Sequence, residues 1–187
     1  MTSTVGILLA GGLSRRFGSP KAFAVMEETF FYERAYRALI EVCDRVVIVS
    51  RAELIPCFPA KYKVITDLDW ISGQGPLAGI LSGMTTIPAE KYVVLPCDMP
   101  FIGSKEIGKL VTLASTTADI TAVINDTEKI PLLSVWDSRI KEQLQTELEN
   151  GQLRVMKFMD KVTTQWIETS TIHENPLVFR NLNYPQV

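Results

Sequence analysis

Apolar positions along this chain fall into two alternating patterns. Short, nearly uninterrupted apolar runs recur at Val5–Ala10, Arg45–Val49, Lys63–Thr66, Tyr92–Pro96, Ile120–Ile124 and Pro131–Val135. Runs of this length without polar alternation are those of strands covered on both faces. Between them the period lengthens. Phe31, Ala35, Ala38, Leu39 and Val42 define one face of a helix, and Ile107, Leu110, Val111 and Ala114 repeat the spacing after Ser104, the predicted N-cap. Ile140, Leu144 and Leu148 do the same after Asp137, with Gly151 placed to end that helix. Strand and helix in alternation predict an α/β fold, a three-layer α/β/α sandwich of Rossmann-like type with a mostly parallel sheet. No internal repeat, linker or low-complexity stretch interrupts the 187 residues, and one domain over 1–187 is expected.

In such sheets ligands bind beyond the carboxyl ends of the strands. The first strand runs into Leu9-Ala10-Gly11-Gly12-Leu13-Ser14-Arg15-Arg16-Phe17-Gly18-Ser19-Pro20-Lys21. Glycines let main-chain N–H groups close around an anion, and the cations add the charge a phosphate needs. The segment is neither a Walker loop, since Ala22 follows Lys21, nor a dinucleotide fingerprint, since Gly11 and Gly12 are adjacent. A basic turn is the competing reading, but paired arginines between glycines suit a phosphate better. Asp67 follows the third run and Asp98 the fourth, so three motifs meet at one edge.

Asp98 is the leading candidate for chemistry. It ends Tyr-Val-Val-Leu-Pro and stands between Pro96 and Pro100. A carboxylate fixed there can hold Mg²⁺, which takes one or two carboxylates plus phosphate oxygens and water; the alternative is a turn-forming aspartate. Lys21 suits a β- or γ-phosphate as a point charge, whereas Arg15 or Arg16 can grip two oxygens or remain a solvated charge. Gly75-Pro76-Leu77-Ala78-Gly79 opens a helix with proline near its start, and its two glycines leave room for a flat base. Asn181 and Asn183 alternate along a predicted late strand and would share a face. His173 is expected in an exposed loop with no carboxylate partner, and Trp70, Trp136 and Trp166 are expected in core or rim packing.

Bulk composition narrows the partners. A formal net charge of −2 gives no overall attraction to nucleic acid or to an anionic membrane surface. Cys43, Cys57 and Cys97 lack CxxC spacing and His173 is the single histidine, which argues against a zinc site and for reduced thiols in the cytoplasm. Val5–Ala10 has no basic flank and is too short for a secretory signal, and no run is long enough to span a membrane.

The Leu-Ala-Gly-Gly-x-Ser-x-Arg-x-Gly-x-x-Lys segment, together with Gly75–Gly79, Pro96-Cys97-Asp98-Met99-Pro100 and Asn181-Leu182-Asn183-Tyr184-Pro185, resembles the molybdenum cofactor guanylyltransferases along the whole chain. The resemblance implies a nucleotide-diphospho-sugar transferase-like fold and transfer of GMP from GTP to the phosphate of molybdopterin, with release of pyrophosphate. It implies that Leu9, Ala10, Gly11 and Gly12 frame the nucleotide and that Lys21 touches the triphosphate. It places Asp67, Gly75 and Pro76 by the nucleoside and makes Asp98 the Mg²⁺ ligand. Arg16, Gly18, Arg154, Asn181 and Asn183 would face the acceptor. Transient partners would be molybdoenzymes or cofactor-biosynthesis proteins, and the nearest alternative is the same chemistry with CTP or another small acceptor. Asp69 competes with Asp67. A non-catalytic nucleotide-binding module is the reading from a different class. The chain departs from the pattern at Tyr184-Pro185-Gln186, after which it ends without the closing helix of many relatives. It departs again at Ser50-Arg51-Ala52, where an asparagine is usual. A phosphate monoester, with a second pKa near ~6, is already a dianion at neutral pH and needs no general base.

Overall fold

The computed structural model describes residues 3–12 and 18–182. The strands are β1 (Thr4–Leu9), a small hairpin of β2 (Val25–Met26) and β3 (Thr29–Phe30), β4 (Arg45–Val49), β5 (Val64–Ile65), β6 (Lys91–Pro96), β7 (Ile120–Asn125), β8 (Glu128–Asp137) and β9 (Thr164–Glu168). The helices are α1 (Phe31–Ile40), α2 (Pro76–Thr86), α3 (Ser104–Leu113), α4 (Lys141–Glu149), α5 (Val155–Met159) and α6 (Thr169–Ile172). Apart from the hairpin, the strands form one seven-stranded sheet in the order β5-β4-β1-β6-β8-β7-β9. β5, β4, β1 and β6 are mutually parallel, with Ile7 level with Val47 on one side and Val94 on the other. β8 runs against both β6 and β7, and β9 lies parallel to β7. The sheet is mostly parallel, as the buried apolar runs require.

Alternate residues of each central strand feed two separate cores. Leu8, Ile48, Val93 and Leu95 pack with Leu39, Ile107 and Leu110 of α1 and α3. Val5, Ile7, Val47 and Val94 pack with Leu77, Ile80, Leu144 and Phe158 of α2, α4 and α5. That gives the three layers. Trp136 is fully buried in the second core, stacked on Phe158 with 5.7 Å between ring centroids, its Nε1 donating to Ser134 Oγ.

Local details depart from the sequence reading for identifiable reasons. β8 begins at Glu128, ahead of the expected run, because a proline interrupts the pattern. Pro131 lies where the pairing jumps from Ala122–Ser134 to Val123–Ile130, the place for a residue with no amide to donate to the ladder. β9 escaped notice because Thr164, Gln165 and Glu168 break its apolar character. Gly103, not Ser104, occupies the N-cap of α3, and Glu106 Oε2 accepts its amide at 2.9 Å. Asp137 accepts from the Arg139 amide, capping a short 3₁₀ turn that leads into α4. Gly151 ends α4 with φ +76°, and Gly151 N–H and Gln152 N–H donate to Leu148 and Glu147 carbonyls, a Schellman closure.

α2 lies unusually close to β1. A Cβ at Gly83 would stand 2.7 Å from Ile7 Cδ1 and 2.9 Å from its Cγ1. Replacing Gly83 by valine is expected to cost about 2 kcal/mol by overpacking, read as a lower urea midpoint with an unchanged slope; an unchanged midpoint would show that the helix can retreat freely.

Candidate active site at the carboxyl edge of the sheet

The wall of the site begins where β1 ends. Ala10 N–H donates to the Val49 carbonyl at 2.8 Å, and the buried Ser50 hydroxyl donates to the Ala10 carbonyl at 3.3 Å. The strand end is thus pinned to β4. At Gly11 a Cβ would meet only ordinary contacts, 3.6 Å from Arg51 Cγ and from the Ser50–Arg51 backbone. A Cβ added at Gly12 would meet no described heavy atom within 4 Å. Among the described residues packing gives no reason for glycine at 11 or 12, whereas close approach of a ligand to the backbone would. The Arg51 stem lines this wall; its guanidinium pairs with Glu53 at 2.7 Å, and its buried Nε has no hydrogen-bond partner among the described residues.

The next stretch of wall is the loop from β5 into α2. Gly75 has φ +88° and ψ −166°, a conformation open to glycine, and Pro76 follows as the first helical residue. A Cβ at Gly79 would lie 2.9 Å from Leu9 Cδ2 and 3.7 Å from Asp67 Oδ1. Both glycines of Gly75–Gly79 thus have reasons inside the protein, one a backbone angle and the other close packing, which corrects the idea that a base is needed to explain the pair. Asp67 Oδ2 accepts the Gly73 amide at 3.0 Å, and Ser82 Oγ, rooted on the Ala78 carbonyl, accepts the Leu68 amide at 2.9 Å. Asp69 is exposed and opens a 3₁₀ turn. Of the two carboxylates, Asp67 is the one turned to α2. Burial pushes its carboxyl above the usual carboxylate range, against the opposing pull of the Gly73 amide.

On the other side of β1 stands Asp98, two residues past β6. Its carboxylate Oδ2 pairs with Lys21 Nζ at 2.9 Å, and both side chains are largely buried, 22% and 15% exposed. The elements make this meeting unavoidable: β1 and β6 are neighbours in the sheet, and the loops leaving them share one edge. The Asp98 backbone is held as well. Cys97 N–H donates to the Leu9 carbonyl at 3.0 Å and Leu182 N–H to the Asp98 carbonyl at 2.9 Å. Arg34 Nε of α1 donates to the Pro100 carbonyl at 3.1 Å, and the Arg180 guanidinium lies 4.5 Å from the centre of the Phe101 ring. Asn181, exposed between Arg180 and the buried Leu182, follows a short 3₁₀ turn and lies in no strand among the described residues, contrary to the late strand expected there; the Leu182 amide brings it beside the Asp98 loop.

Other expected residues are placed more loosely. Gly18 adopts φ +76° and is exposed. Arg154 is exposed at the start of α5, its amide accepted by Gln152 Oε1; the structure gives it no contact with Asp98 or Lys21. Arg15, Arg16, Asn183, Tyr184, Pro185 and Gln186 lie outside the described residues. His173 is half-buried rather than exposed; its Nδ1 accepts from the Asn175 amide and its Nε2 stands 4.0 Å from Glu106 Oε1, a carboxylate neighbour that the sequence did not suggest. Trp70 is 46% exposed and Trp166 lies under Lys129 Nζ at 4.7 Å. The sequence reading missed Ser50, Ser82, Arg34 and Leu182, which fix backbone; a serine at the end of an apolar strand was the one available signal.

Among the described residues Asp98 is the carboxylate paired with Lys21, and Asp67 lies on the α2 side. No group of three or more His, Cys, Asp or Glu side chains able to hold a metal occurs among the described residues. Asp98 suits a hard cation such as Mg²⁺ that draws its remaining ligands from phosphate and water, and does not suit a cation held by protein alone.

Residues 6–164 match the MobA-like NTP transferase domain. The chain belongs to this family. It is 37% identical to a Geobacillus protein named "Probable molybdenum cofactor guanylyltransferase", covering 99% of this chain and 96% of that relative. A Bacillus subtilis protein of the same name is 35% identical over 96% of this chain and 89% of its own. Among solved structures, the molybdopterin-guanine dinucleotide biosynthesis protein A of Archaeoglobus fulgidus superposes with a TM-score of 0.81 at 20% identity, covering 97% of this chain and 93% of that one. A CMP:2-keto-3-deoxy-manno-octonic acid synthetase bound to CTP gives 0.68 at 12%, covering 89% and 90% of the two chains. Both likenesses identify the nucleotidyltransferase fold. The family and fold expected from the motifs are the ones found, and the chain is a nucleotidyltransferase. No helix among the described residues is long and apolar enough to cross a membrane.

Asp67 yields a prediction with opposed signs. Its raised pKa means that the folded protein binds its proton more tightly than the unfolded chain. Its contribution therefore falls as pH rises from the unfolded value, ~3.9, through the raised folded value. Asp67→Asn keeps an acceptor for the Gly73 amide and should raise the melting temperature at neutral pH, with the gain vanishing below about pH 3.9. Nucleoside triphosphate affinity by calorimetry should fall ~10-fold or more as a charged acceptor is lost. A variant that is neither more stable nor weaker in binding would remove Asp67 from the site.

Proposed function

We propose that this protein is a molybdenum cofactor guanylyltransferase, acting as one nucleotidyltransferase domain over 1–187 in the cytoplasm. It would join GMP from GTP to the terminal phosphate of molybdopterin and release pyrophosphate. The observation that carries the reading is the 2.9 Å approach of Lys21 to Asp98, which puts a phosphate-seeking cation and a metal-seeking carboxylate within the span of one triphosphate. The names of the relatives supply the acceptor and the base.

In this reading the main chain of Leu9, Ala10, Gly11 and Gly12 frames the nucleotide, with Asp67, Gly75 and Pro76 on the nucleoside. Lys21 takes the β- or γ-phosphate as a point charge. Arg16 and Gly18, then Arg154, Asn181 and Asn183, receive the acceptor, whose phosphate oxygen meets the α-phosphorus in line with the departing pyrophosphate. Mg²⁺ held by Asp98 would supply charge neutralisation at the α-phosphate and the leaving group. No side chain has to remove a proton, because the acceptor phosphate attacks as a dianion (second pKa about 6). His173, which accepts from the Asn175 amide and stands beside Glu106, is given no role in this reading. The protein's contribution is position and fixed charge. Handover of the product to molybdoenzymes or other cofactor-biosynthesis proteins would be transient.

The test is turnover of molybdopterin with GTP against CTP, followed by pyrophosphate release. GTP should be preferred, and Asp98→Ala should lower the rate by ~10²–10³ while GTP remains bound. Faster turnover with CTP would overturn the base assignment, and full activity of Asp98→Ala would overturn the role of the carboxylate. Activity on sugar phosphates but not molybdopterin would replace the acceptor.

A further inference from the structure

We infer that Lys21 is the built-in counter-ion of Asp98, and that a divalent cation gains this carboxylate only together with a nucleoside triphosphate that draws the ammonium away. The inference rests on the proposed reading of the site but concerns the order in which it is filled.

Three features support it. The first is the pairing itself, an ammonium 2.9 Å from the carboxylate oxygen that a cation would use, with both side chains mostly withdrawn from water. A dication entering beside that ammonium meets repulsion that little solvent screens. The second is the poverty of the donor set: Asp98 belongs to no three-membered ligand group among the described residues. A cation that prefers six oxygen ligands and gives up water reluctantly gains little from it alone. A triphosphate changes both terms, because its oxygens complete the coordination shell and its negative charge offers Lys21 a stronger partner than one carboxylate.

The third feature is that the exchange needs only a side chain to move. Lys21 opens a 3₁₀ turn whose backbone is tied by Phe23 N–H to Pro20 and by Ala24 N–H to Lys21, both at 3.0 Å. Ala22 is 1% exposed, and Phe23 packs against Tyr32 and Phe58 with ring centroids 5.5 and 4.8 Å away. The Asp98 backbone is fixed by Leu182. With both backbones anchored, the flexible four-carbon stem of Lys21 can swing from carboxylate to phosphate by rotation about its own bonds. Lys21 thus plugs the metal position in the free protein and joins the phosphate grip in the loaded one. Free Mg²⁺ is refused and the cation enters as a complex with the nucleotide.

The test follows Mn²⁺, a spectroscopic stand-in for Mg²⁺, by electron paramagnetic resonance, with no molybdopterin present. The free wild-type protein should take up no Mn²⁺ at concentrations where the protein with a non-transferable α,β-methylene analogue of GTP takes up one ion. Lys21→Met should raise Mn²⁺ affinity of the free protein ~10-fold or more and lower affinity for the analogue, while Lys21→Arg retains the wild-type pattern. Lys21→Gln serves as a second neutral variant, and each variant is checked for an intact thermal transition. Mn²⁺ binding to the free wild type as tight as to its nucleotide complex overturns the inference. So does unchanged Mn²⁺ affinity in folded Lys21→Met or Lys21→Gln. Asp98→Asn separates the two claims: persistence of Mn²⁺ binding in that variant overturns the assignment of Asp98 as ligand, and with it the exchange. Failure to transfer GMP to molybdopterin while the Mn²⁺ pattern holds removes the proposed acceptor and leaves the exchange standing.

Discussion

The architecture of this edge depends on one electrostatic constraint: the loop after β1 and the turn after β6 carry opposite charges and must meet. Parallel pairing of β1 with β6 fixes their carboxyl ends side by side, so Lys21 and Asp98 are brought together by topology before any ligand is considered. A largely buried ion pair is a weak source of stability, since desolvation takes back most of the Coulomb gain. Leaving either partner alone there would cost more. The pair is best understood as a charge arrangement held ready for a ligand bearing charges of its own.

The other wall answers a different demand, close approach. Gly79 and Gly83 are spaced four apart on α2, just after its N-cap Gly75, which places them on one side of the helix. Gly79 clears Leu9 and Gly83 clears Ile7. The helix can therefore lie low over β1, and its first turn is presented beside the strand end where Ala10 is pinned by Val49 and Ser50. Asp67 is caught in the same compression. Its carboxylate sits against Gly79 and pays a desolvation cost that a nucleotide hydroxyl or amine could repay by hydrogen bonding. Sites commonly store such local cost where function needs it.

Much of this was legible in the residues. The buried apolar runs gave the parallel strands because strands covered on both faces cannot alternate, and Gly151 marked a helix end because its left-handed backbone angle favours glycine. Leu9–Gly12, Asp67 and Asp98 could be placed at one edge from strand order alone. What stayed hidden was whatever depends on pairing rather than on local pattern. β9 is held by Ile120–Ile124 of β7 despite its polar residues, and Pro131 is tolerated only because β8 bulges where it stands. The reach of Leu182 to Asp98, and of Arg34 to Pro100, spans 84 and 66 positions, and nothing in the local sequence announces either.

On the proposed reading, those long reaches also bear on how one edge would serve two substrates. The wall proposed for the nucleotide is built from the side of the sheet that α2 covers, through Leu9, Val49, Asp67 and Gly79. The Asp98 turn is braced by α1 through Arg34, and by the segment that carries Asn181 through Leu182 and Arg180. Phe179, at the root of that segment, is buried in the core shared with α1 and α3. The Asp98 turn is joined to the α2 side through the Cys97 amide on the Leu9 carbonyl, and to the other side through the Leu182 amide. A displacement of the Asn181 segment would act on Asp98 through the Leu182 amide without disturbing the glycines of α2. On the proposed reading, nucleotide grip and acceptor reach would thus be braced by different elements up to the residue where they have to coincide.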